Sequence, residues 1–359
     1  MAQYLYTRIE DGFLWTNLAQ TELSNTQTTG VAPDGRPIYA DLQDLGIDNL
    51  TRLANFSDGT SQILAIGLAK RYDFGLDFNF SYAHQDIEAV TEGARSRGIS
   101  NWRSIIDVDR NNPGTKISPY QVEHSFKLNI GYEMDFFRTG QSLTRIDLFA
   151  RRLSGDLFTF TFNTSSSNAL FGRAGQFESP FDNAPLYIPS GPSDPLVVYG
   201  SGFTQQEFFD YLAANGVPGG APNATNSNRA GWNSIWDLRI QQEIPGLPFL
   251  GNSLGDNNFR IVLDIDNFLN LINDDWGSFS VSASFLDSHI VTADLVSTAD
   301  VAANGIDNAT ALLGDNPRTT CTTQSACVYR FNSFRSRNNQ FIIGSKSVYN
   351  IRLGVRFDF

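Results

Sequence analysis

The chain has 359 residues and a net charge of −12, and aromatic residues make up 13% of it while charged residues make up only 18%. A surface that binds nucleic acid needs an excess of Lys and Arg, so the acidic balance excludes nucleic acid as a partner. Abundant Phe and Tyr beside Asn, Ser, Thr and Gly are typical of an all-β protein whose sheet is apolar on one face.

Alternation of apolar and polar residues, the pattern of a half-buried strand, recurs along the chain. It is clearest in YDFGLDFNFSYA, which begins at Tyr72, in HSFKLNIGYEMDF, which begins at His124, and in the last residues, from Tyr349. Runs of about ten residues suit a tilted strand that crosses a bilayer, whereas strands of soluble sandwiches are about half as long. About ten strands are predicted: 3–16, 60–70, 74–87, 119–136, 141–163, 234–243, 257–268, 276–286, 289–297 and 347–359.

The connections between these strands alternate between short and long. Short ones are predicted near 70–74, 136–141 and 286–289, with a medium one after Glu243. Long ones are predicted at 17–59, 88–118, 164–233 and 298–346, with a shorter member near 269–275. Tight turns on one side and long loops on the other are typical of an outer-membrane barrel.

Two of the predicted elements have distinctive features. We interpret 141–163 as one long strand with a bulge at Gly155, because the apolar parity is the same before and after that residue. The segment SGFTQQEFFDYLAANG, 201–216, predicts a short helix inside a long loop, with Thr204 and Glu207 as a capping box and Gly216 as the stop. Phe208 and Leu212 would lie on its apolar side.

The only two cysteines, Cys321 and Cys327, lie close together in a polar segment. In an oxidising compartment this spacing favours a small disulfide loop over two free thiols. Metal binding would need further ligands nearby, and the segment has none.

The polar positions of the strands carry charges of both signs. One interpretation is a barrel lumen that contacts a ligand or a plug, and the other, which we favour, is mutual pairing across neighbouring strands. These positions are Arg145, Asp147, Arg151, Asp237, Arg239, Arg260, Asp264 and Asp266.

The sequence predicts no catalytic, cofactor or metal site and therefore no enzyme. His124 and Ser125, like Ser288 and His289, are adjacent residues whose side chains would point to opposite faces of a strand, which prevents proton transfer within each pair. The Asn and Asp residues at 270–275 lack the spacing of a known calcium loop and are better explained as turn formers.

The ending RLGVRFDF resembles the C-terminal assembly signal of bacterial outer-membrane barrels. A polar residue, a glycine two positions later and two aromatic residues match it, here Arg352, Gly354, Phe357 and Phe359. The resemblance implies that the barrel-assembly machinery recognises this strand.

Two further segments are similar to the C-terminal barrel region of TonB-dependent receptors. They are SIWDLRIQQEIPGLPFL from Ser234 and FRIVLDIDNFLNLINDDWG from Phe259. The family's Asn-Leu/Phe-x-Asn element is matched, with a tryptophan after it, by Asn267, Phe268, Leu269, Asn270 and Trp276. The QEIP at 242–245 that follows a helix-bearing loop, together with PDGRPIY at 33–39, resembles the Oar-like branch, which carries a carboxypeptidase-regulatory-like domain.

This resemblance implies that residues 1–359 are the C-terminal part of a transmembrane antiparallel β-barrel of about 22 strands in the bacterial outer membrane. The signal peptide, the plug and the regulatory-like domain are then absent. The intact receptor would contact outer-membrane lipid and bind or take up a bulky extracellular ligand, and only its missing N-terminal part would contact the TonB complex. The alternative is a self-contained small outer-membrane barrel that acts as a passive pore or an adhesin.

Overall fold

The computed structural model describes residues 1–26, 29–91, 95–137, 142–163, 169–173, 184–245, 258–282, 287–336 and 340–358. The chain is mostly β-sheet, as the sequence predicts. Within the described residues, no helix has both the length and the apolar character needed to span a membrane.

The strands and helices, in chain order, have the following bounds. The strands are β1 (Ala2–Arg8), β2 (Gly12–Asn17), β3 (Gly30–Val31), β4 (Pro37–Ile38), β5 (Thr51–Phe56), β6 (Thr60–Arg71), β7 (Leu76–Ala89), β8 (Lys116–Ile117), β9 (His124–Met134), β10 (Thr144–Leu153), β11 (Leu157–Phe162), β12 (Tyr187–Ile188), β13 (Val197–Tyr199), β14 (Ala221–Pro222), β15 (Asn228–Arg229), β16 (Asn233–Pro245), β17 (Asn258–Asp266), β18 (Ser280–Ser282), β19 (Asp287–Ser297), β20 (Cys327–Phe334), β21 (Gln340–Ile342) and β22 (Asn350–Asp358). The helices are α1 (Leu18–Thr26), α2 (Gly98–Arg103), α3 (Gln205–Ala214), α4 (Phe268–Ile272), α5 (Thr298–Asn304), α6 (Asn316–Thr320) and α7 (Gly344–Ser347).

One antiparallel sheet, called here the long sheet, follows the order β1-β6-β7-β9-β10-β16-β17-β22, with β8 added beside β7. Its registers place apolar residues opposite one another, since Ile66 faces Tyr82 and Tyr82 faces Phe126. Successive residues of a strand point to opposite sides, so these three lie on one side, the apolar face. The other side, which carries Asp77 and Asp147, is called here the polar face.

The two ends of the long sheet differ in their connections. At the lower end, short segments join β6 to β7 and β9 to β10, and the longer segment 246–257, which lies outside the described residues, joins β16 to β17. At the upper end, the chain leaves the sheet for long excursions at 9–59, 90–123, 154–232 and 267–349. The described residues of these four excursions are called here the loop layer.

The loop layer has a hydrophobic core of its own, built on a mixed sheet. The order of this sheet is β13-β20-β19-β11-β15, and β11 runs parallel to β19 while β13 runs parallel to β20. Side chains from several excursions fill the core, including Ile38, Phe160, Phe208 and Phe331, each at most 1% exposed. The long excursions therefore fold as a packed unit.

The predicted long strand 141–163 is wrong, because the chain leaves the long sheet between β10 and β11. All six residues of β11 are buried, so both of its faces are covered by the loop layer. A side chain at Gly155 would come within 2.3 Å of the carbonyl oxygens of Ala230 and Gly231, so the close backbone approach at this break needs glycine. The alternation of apolar and polar residues continues across the break because β10 and β11 are both strands. Alternation indicates that a segment is a strand but does not indicate which sheet contains it.

The predicted count of about ten wall strands is also wrong, because in the described residues the path of the long sheet contains eight strands, with β8 beside it. The first predicted strand, 3–16, divides into β1 and β2, and β2 pairs with β5 in a separate small sheet. The predicted strand 289–297 is found as β19, but it belongs to the mixed sheet. Of the predicted strand 276–286, only β18 is found, paired with β21, and 283–286 lie outside the described residues.

The helix predicted in the third excursion is confirmed as α3, with Phe208 and Leu212 buried against the core. Thr204 is its N-cap as predicted, but its side chain makes no capping hydrogen bond. Gly216, at φ +66°, follows the helix in the left-handed conformation that glycine favours. Six further short helices in the described residues depart from the prediction of a single helix.

Arg36 joins the first excursion to the core of the loop layer. Its side chain is 4% exposed and forms an ion pair with Asp34 at 2.7 Å. It donates hydrogen bonds to the carbonyl oxygen of Pro185, at 2.7 Å, and to the hydroxyl of Tyr329, at 3.2 Å. The guanidinium also lies 4.4 Å from the ring centroid of Phe171. A buried charge is tolerated here because its donors are satisfied.

Asp194 closes the turn before β13. Its carboxylate accepts hydrogen bonds from the backbone N–H groups of Ser190 and Leu196 and from the hydroxyls of Ser190 and Tyr187, at 2.7–3.0 Å. Burial opposes ionisation, but the four hydrogen bonds outweigh it and hold the pKa of Asp194 below its usual value.

We expect Arg36→Met to lower the free energy of unfolding by about 3–5 kcal/mol, because Asp34 is left buried without its partner. Urea unfolding of the full chain, followed by tryptophan fluorescence, measures the loss. The double variant with Asp34→Asn should recover part of it, and the exposed control Arg52→Met should unfold like the wild type. An Arg36→Met variant as stable as the wild type would contradict this role.

Because the folded pKa of Asp194 is lowered, its stabilising effect is present above the unfolded pKa of about 3.9. It is lost as the pH falls through the folded pKa. We therefore expect the wild type to lose more stability than Asp194→Asn between pH 6 and pH 3, as measured by urea unfolding at each pH. Equal losses in both proteins would show that Asp194 does not contribute to the acid sensitivity.

Candidate functional site

The polar face of the long sheet carries a row of charged residues that the strand registers align. Asp77 faces Gly131, and Gly131 faces Asp147 on the next strand. The row continues through Arg239, Asp264 and Arg352 on three further strands. The Cβ atoms of directly opposed residues lie about 4.5–5.5 Å apart, so the side chains of neighbouring residues in the row can contact one another.

Arg145 bridges the two carboxylates at the start of this row. Its guanidinium lies 3.0 Å from Asp77 and 2.8 Å from Asp147. Gly131 makes the bridge possible, because a Cβ atom there would lie 2.4 Å from the Arg145 guanidinium and within 3 Å of both carboxylates. The glycine of strand β9 thus provides space for a three-residue charge cluster.

Ion pairs continue along the face. Arg239 binds Asp264 through two hydrogen bonds, at 2.6 and 3.2 Å. Arg260 pairs with Glu243 at 2.6 Å, and Arg352 pairs with Asp266 at 2.9 Å. The carboxylate of Asp237 accepts a hydrogen bond from the backbone N–H of Asn267. Six of the eight predicted charged positions therefore lie in ion pairs, two of these pairs within the predicted set and two with Glu243 and Arg352, in agreement with the pairing interpretation of the sequence.

A depression of about 400 Å³ lies on the polar face where this pairing stops. Lys127 and Arg151 lie directly opposite each other in its wall, and among the described residues neither has an ion-pair partner. Asn129 and Phe149 also line it, and the Oδ1 atom of Asn129 is buried without a hydrogen-bond partner in the described part of the chain. Two opposed cations beside amide and aromatic groups can hold an anionic group.

The residues that resemble the assembly signal lie on β22, at an edge of the long sheet. Phe357 is on the apolar face and packs against Phe259, with ring centroids 4.7 Å apart and the ring planes tilted. Arg352 and Gly354 are on the polar face. Phe359 lies outside the described residues.

Asn267, the first residue of the family-like element, anchors the end of β17. It adopts the left-handed conformation, at φ +51°, and its side chain donates hydrogen bonds to the carbonyl oxygens of Gly277 and Ser347. Phe268, Leu269 and Asn270 lie in α4, and Trp276 is half exposed. Asn270 and Asn273 make local turn hydrogen bonds, in agreement with the turn-forming interpretation. The element therefore fixes where the chain leaves and re-enters the sheet.

Cys321 and Cys327 form a disulfide in the core of the loop layer, between α6 and β20. His289 is distant from this pair in sequence and forms hydrogen bonds with Thr161 and the carbonyl oxygen of Phe162. The structure does not bring these residues to the charged row.

Three features of the long sheet could not be found by reading single segments. The space above Gly131, the opposition of Lys127 and Arg151, and the meeting of His84, Glu123 and His124 at the upper end all depend on the pairing of β7 with β9 or of β9 with β10.

Comparison of the chain with protein-family models, with curated proteins and with solved structures finds no match.

We expect Arg145→Met to lower the free energy of unfolding by about 2 kcal/mol, because Asp77 and Asp147 would then face each other without a cation. Urea unfolding of the full chain, followed by tryptophan fluorescence, measures the effect. The triple variant that adds Asp77→Asn and Asp147→Asn should recover most of the loss, and Arg52→Met is the control. If the single and triple variants are equally unstable, the cluster is not held by charge.

Proposed function

We propose that this chain forms part of the wall and the extracellular layer of an outer-membrane β-barrel receptor of the TonB-dependent type. In the intact protein, the barrel binds or takes up a bulky extracellular ligand. The proposal rests first on the polarity of the long sheet, whose apolar face is exposed while its other face carries ion pairs. Leu68, Leu353 and Val355 of the apolar face are 56%, 74% and 70% exposed.

A soluble protein would lose stability by leaving this face in water, at about 25 cal/mol for each Å² of apolar surface. The loop layer does not cover it, because that layer has its own core at the upper end of the strands. In a membrane barrel, the apolar face contacts lipid and the polar face lines the interior, so both faces are in a favourable environment.

Aromatic residues at the two ends of the apolar face also support a membrane. Near the lower turns, Tyr72, Phe74 and Phe136 are exposed. At the upper end, Tyr82 and Trp232 lie beside the stacked ring of His124. Strand β9, with 11 residues, spans roughly 33 Å along its length, which matches a tilted crossing of the apolar layer.

The edges of the long sheet support a barrel larger than the described strands. β1 and β22 are exposed along their lengths, and within the described residues they do not pair with each other. Unpaired backbone groups at a lipid-exposed edge are unfavourable, so further strands are needed on both sides. This observation favours the receptor over the alternative of a self-contained small pore or adhesin.

The polar face would then line the lumen, where most charges neutralise one another. Lys127 and Arg151 have no ion-pair partner among the described residues, and their depression offers a contact for an anionic group of a ligand or of a plug. The packed loop layer lies over the same end of the strands and would meet an extracellular ligand first.

Spin labels on adjacent residues test the membrane assignment in the full-length gene product in outer-membrane vesicles. We expect labels at Leu68 and Leu353 to be relaxed by oxygen, which concentrates in lipid, and not by a water-soluble nickel chelate. Labels at the adjacent polar-face positions Ala69 and Gly354 should give the opposite result. The native cysteines form a disulfide and do not take the label.

Nickel accessibility at Leu68 and Leu353 would show that the apolar face meets water, and protection from both reagents would show that protein covers it. Either result contradicts the proposal. The receptor assignment also predicts that the isolated chain gives no stable conductance in a planar bilayer, since the described strands leave open edges. Discrete, long-lived conductance steps would favour the passive pore.

A further inference from the structure

Three metal-binding side chains meet at the upper end of strands β7 and β9. His84 and His124 face each other directly across the strand pair, and their ring centroids are 5.0 Å apart. Glu123 immediately precedes β9, and its Oε1 atom lies 3.6 Å from Nε2 of His124. One ligand atom from each of the three residues lies within 4.8 Å of the other two.

These separations fit a single small cation. Ligand atoms 2.0–2.1 Å from a tetrahedral Zn²⁺ lie roughly 3.4 Å from each other. The Oε1–Nε2 distance of 3.6 Å is already close to this value. All three side chains are partly exposed, so rotation about their side-chain bonds can close the remaining distance.

Hydrogen bonds on the far sides of the ligands leave the required atoms free. Nδ1 of His84 lies 3.1 Å from the carbonyl oxygen of Glu123, which can only accept, so Nδ1 carries the proton and Nε2 keeps its lone pair. Nδ1 of His124 lies 3.0 Å from the hydroxyl oxygen of Tyr82, and when that oxygen accepts the hydrogen bond, Nε2 of His124 also keeps its lone pair. Arg229 binds Oε2 of Glu123 at 2.6 Å and leaves Oε1 available. Such outer contacts orient the ligands of a metal site.

The cluster also has room for an exchangeable ligand. A cavity of about 380 Å³ is lined by His84 and Glu123 together with Asp86, Gln121 and Asn226. Three protein ligands with an open fourth position are the arrangement in which a bound Zn²⁺ retains a water molecule.

We propose that His84, Glu123 and His124 bind a divalent transition-metal ion, with Zn²⁺ as the best fit and a water molecule in the fourth position. This revises the sequence-based expectation of no metal site. The inference rests on the geometry of these residues and is independent of the membrane assignment. The stacked histidine pair could instead belong to a ring of aromatic residues without a metal. That role requires neither the Glu123 carboxylate at 3.6 Å from Nε2 of His124 nor the hydrogen bond that leaves Nε2 of His84 unprotonated.

Titration of the full chain without a histidine tag, after removal of metal with a chelator, tests the site. We expect isothermal calorimetry to show one Zn²⁺ per chain. His84→Ala and His124→Ala should each weaken binding at least about tenfold, and Glu123→Gln should also weaken it. The matched control is His289→Ala, which removes the chain's third histidine from the mixed sheet and should leave Zn²⁺ affinity unchanged.

A spectroscopic measurement on the wild type guards against variants that fail to fold. Bound Co²⁺ should give the intense visible absorption of a tetrahedral site, and X-ray absorption of the Zn²⁺ form should show two imidazole ligands. No binding by the wild type, or wild-type affinity in both His84→Ala and His124→Ala, would overturn the proposal. So would a Zn²⁺ spectrum with oxygen ligands alone.

Discussion

The antiparallel backbone hydrogen bonds of the long sheet determine which side chains share a face and which share a row. Once β7, β9 and β10 are in register, Asp77 and Asp147 lie on either side of Gly131, and Arg145 has a place between them. The same register gathers Ile66, Tyr82 and Phe126 on the opposite face. A slip of one residue would exchange the two faces, so neither the charged row nor the apolar surface could survive it.

The loop layer is stabilised differently from the long sheet. Its central strands β11, β19 and β20 are mostly buried on both sides, and its stability comes from a packed core that these strands share with α3. Arg36 shows how distant excursions are joined, since this one side chain contacts residues of the first, third and fourth excursions. A rigid layer of this kind can present a defined surface at the upper end of the long sheet, which flexible loops could not do without an entropic cost on binding.

Charge is distributed differently along the height of the sheet. The lower and middle parts of the polar face consist of paired arginines and carboxylates, which stabilise the sheet and leave little charge for a ligand. Higher up, Lys127 and Arg151 face each other without a described partner, and the histidine cluster lies beyond them on the other face. The groups that are available to bind something therefore lie toward the loop layer, on both faces of the sheet.

Period-two alternation in the sequence was sufficient to predict the β class, most strands of the long sheet and the turn between β6 and β7, and the capping pattern predicted helix α3. These features depend on neighbours along the chain, through side-chain alternation and helix capping. The short turn predicted at 286–289 is wrong, because β19 belongs to the mixed sheet. The sequence could not show that β11 and β19 belong to a second sheet. A strand buried in the loop layer can show the same alternation of residue types as a strand of the long sheet. Nor could the sequence place His84 beside His124 or Arg36 beside Tyr329, because such contacts arise only when the register and the tertiary packing bring distant segments together.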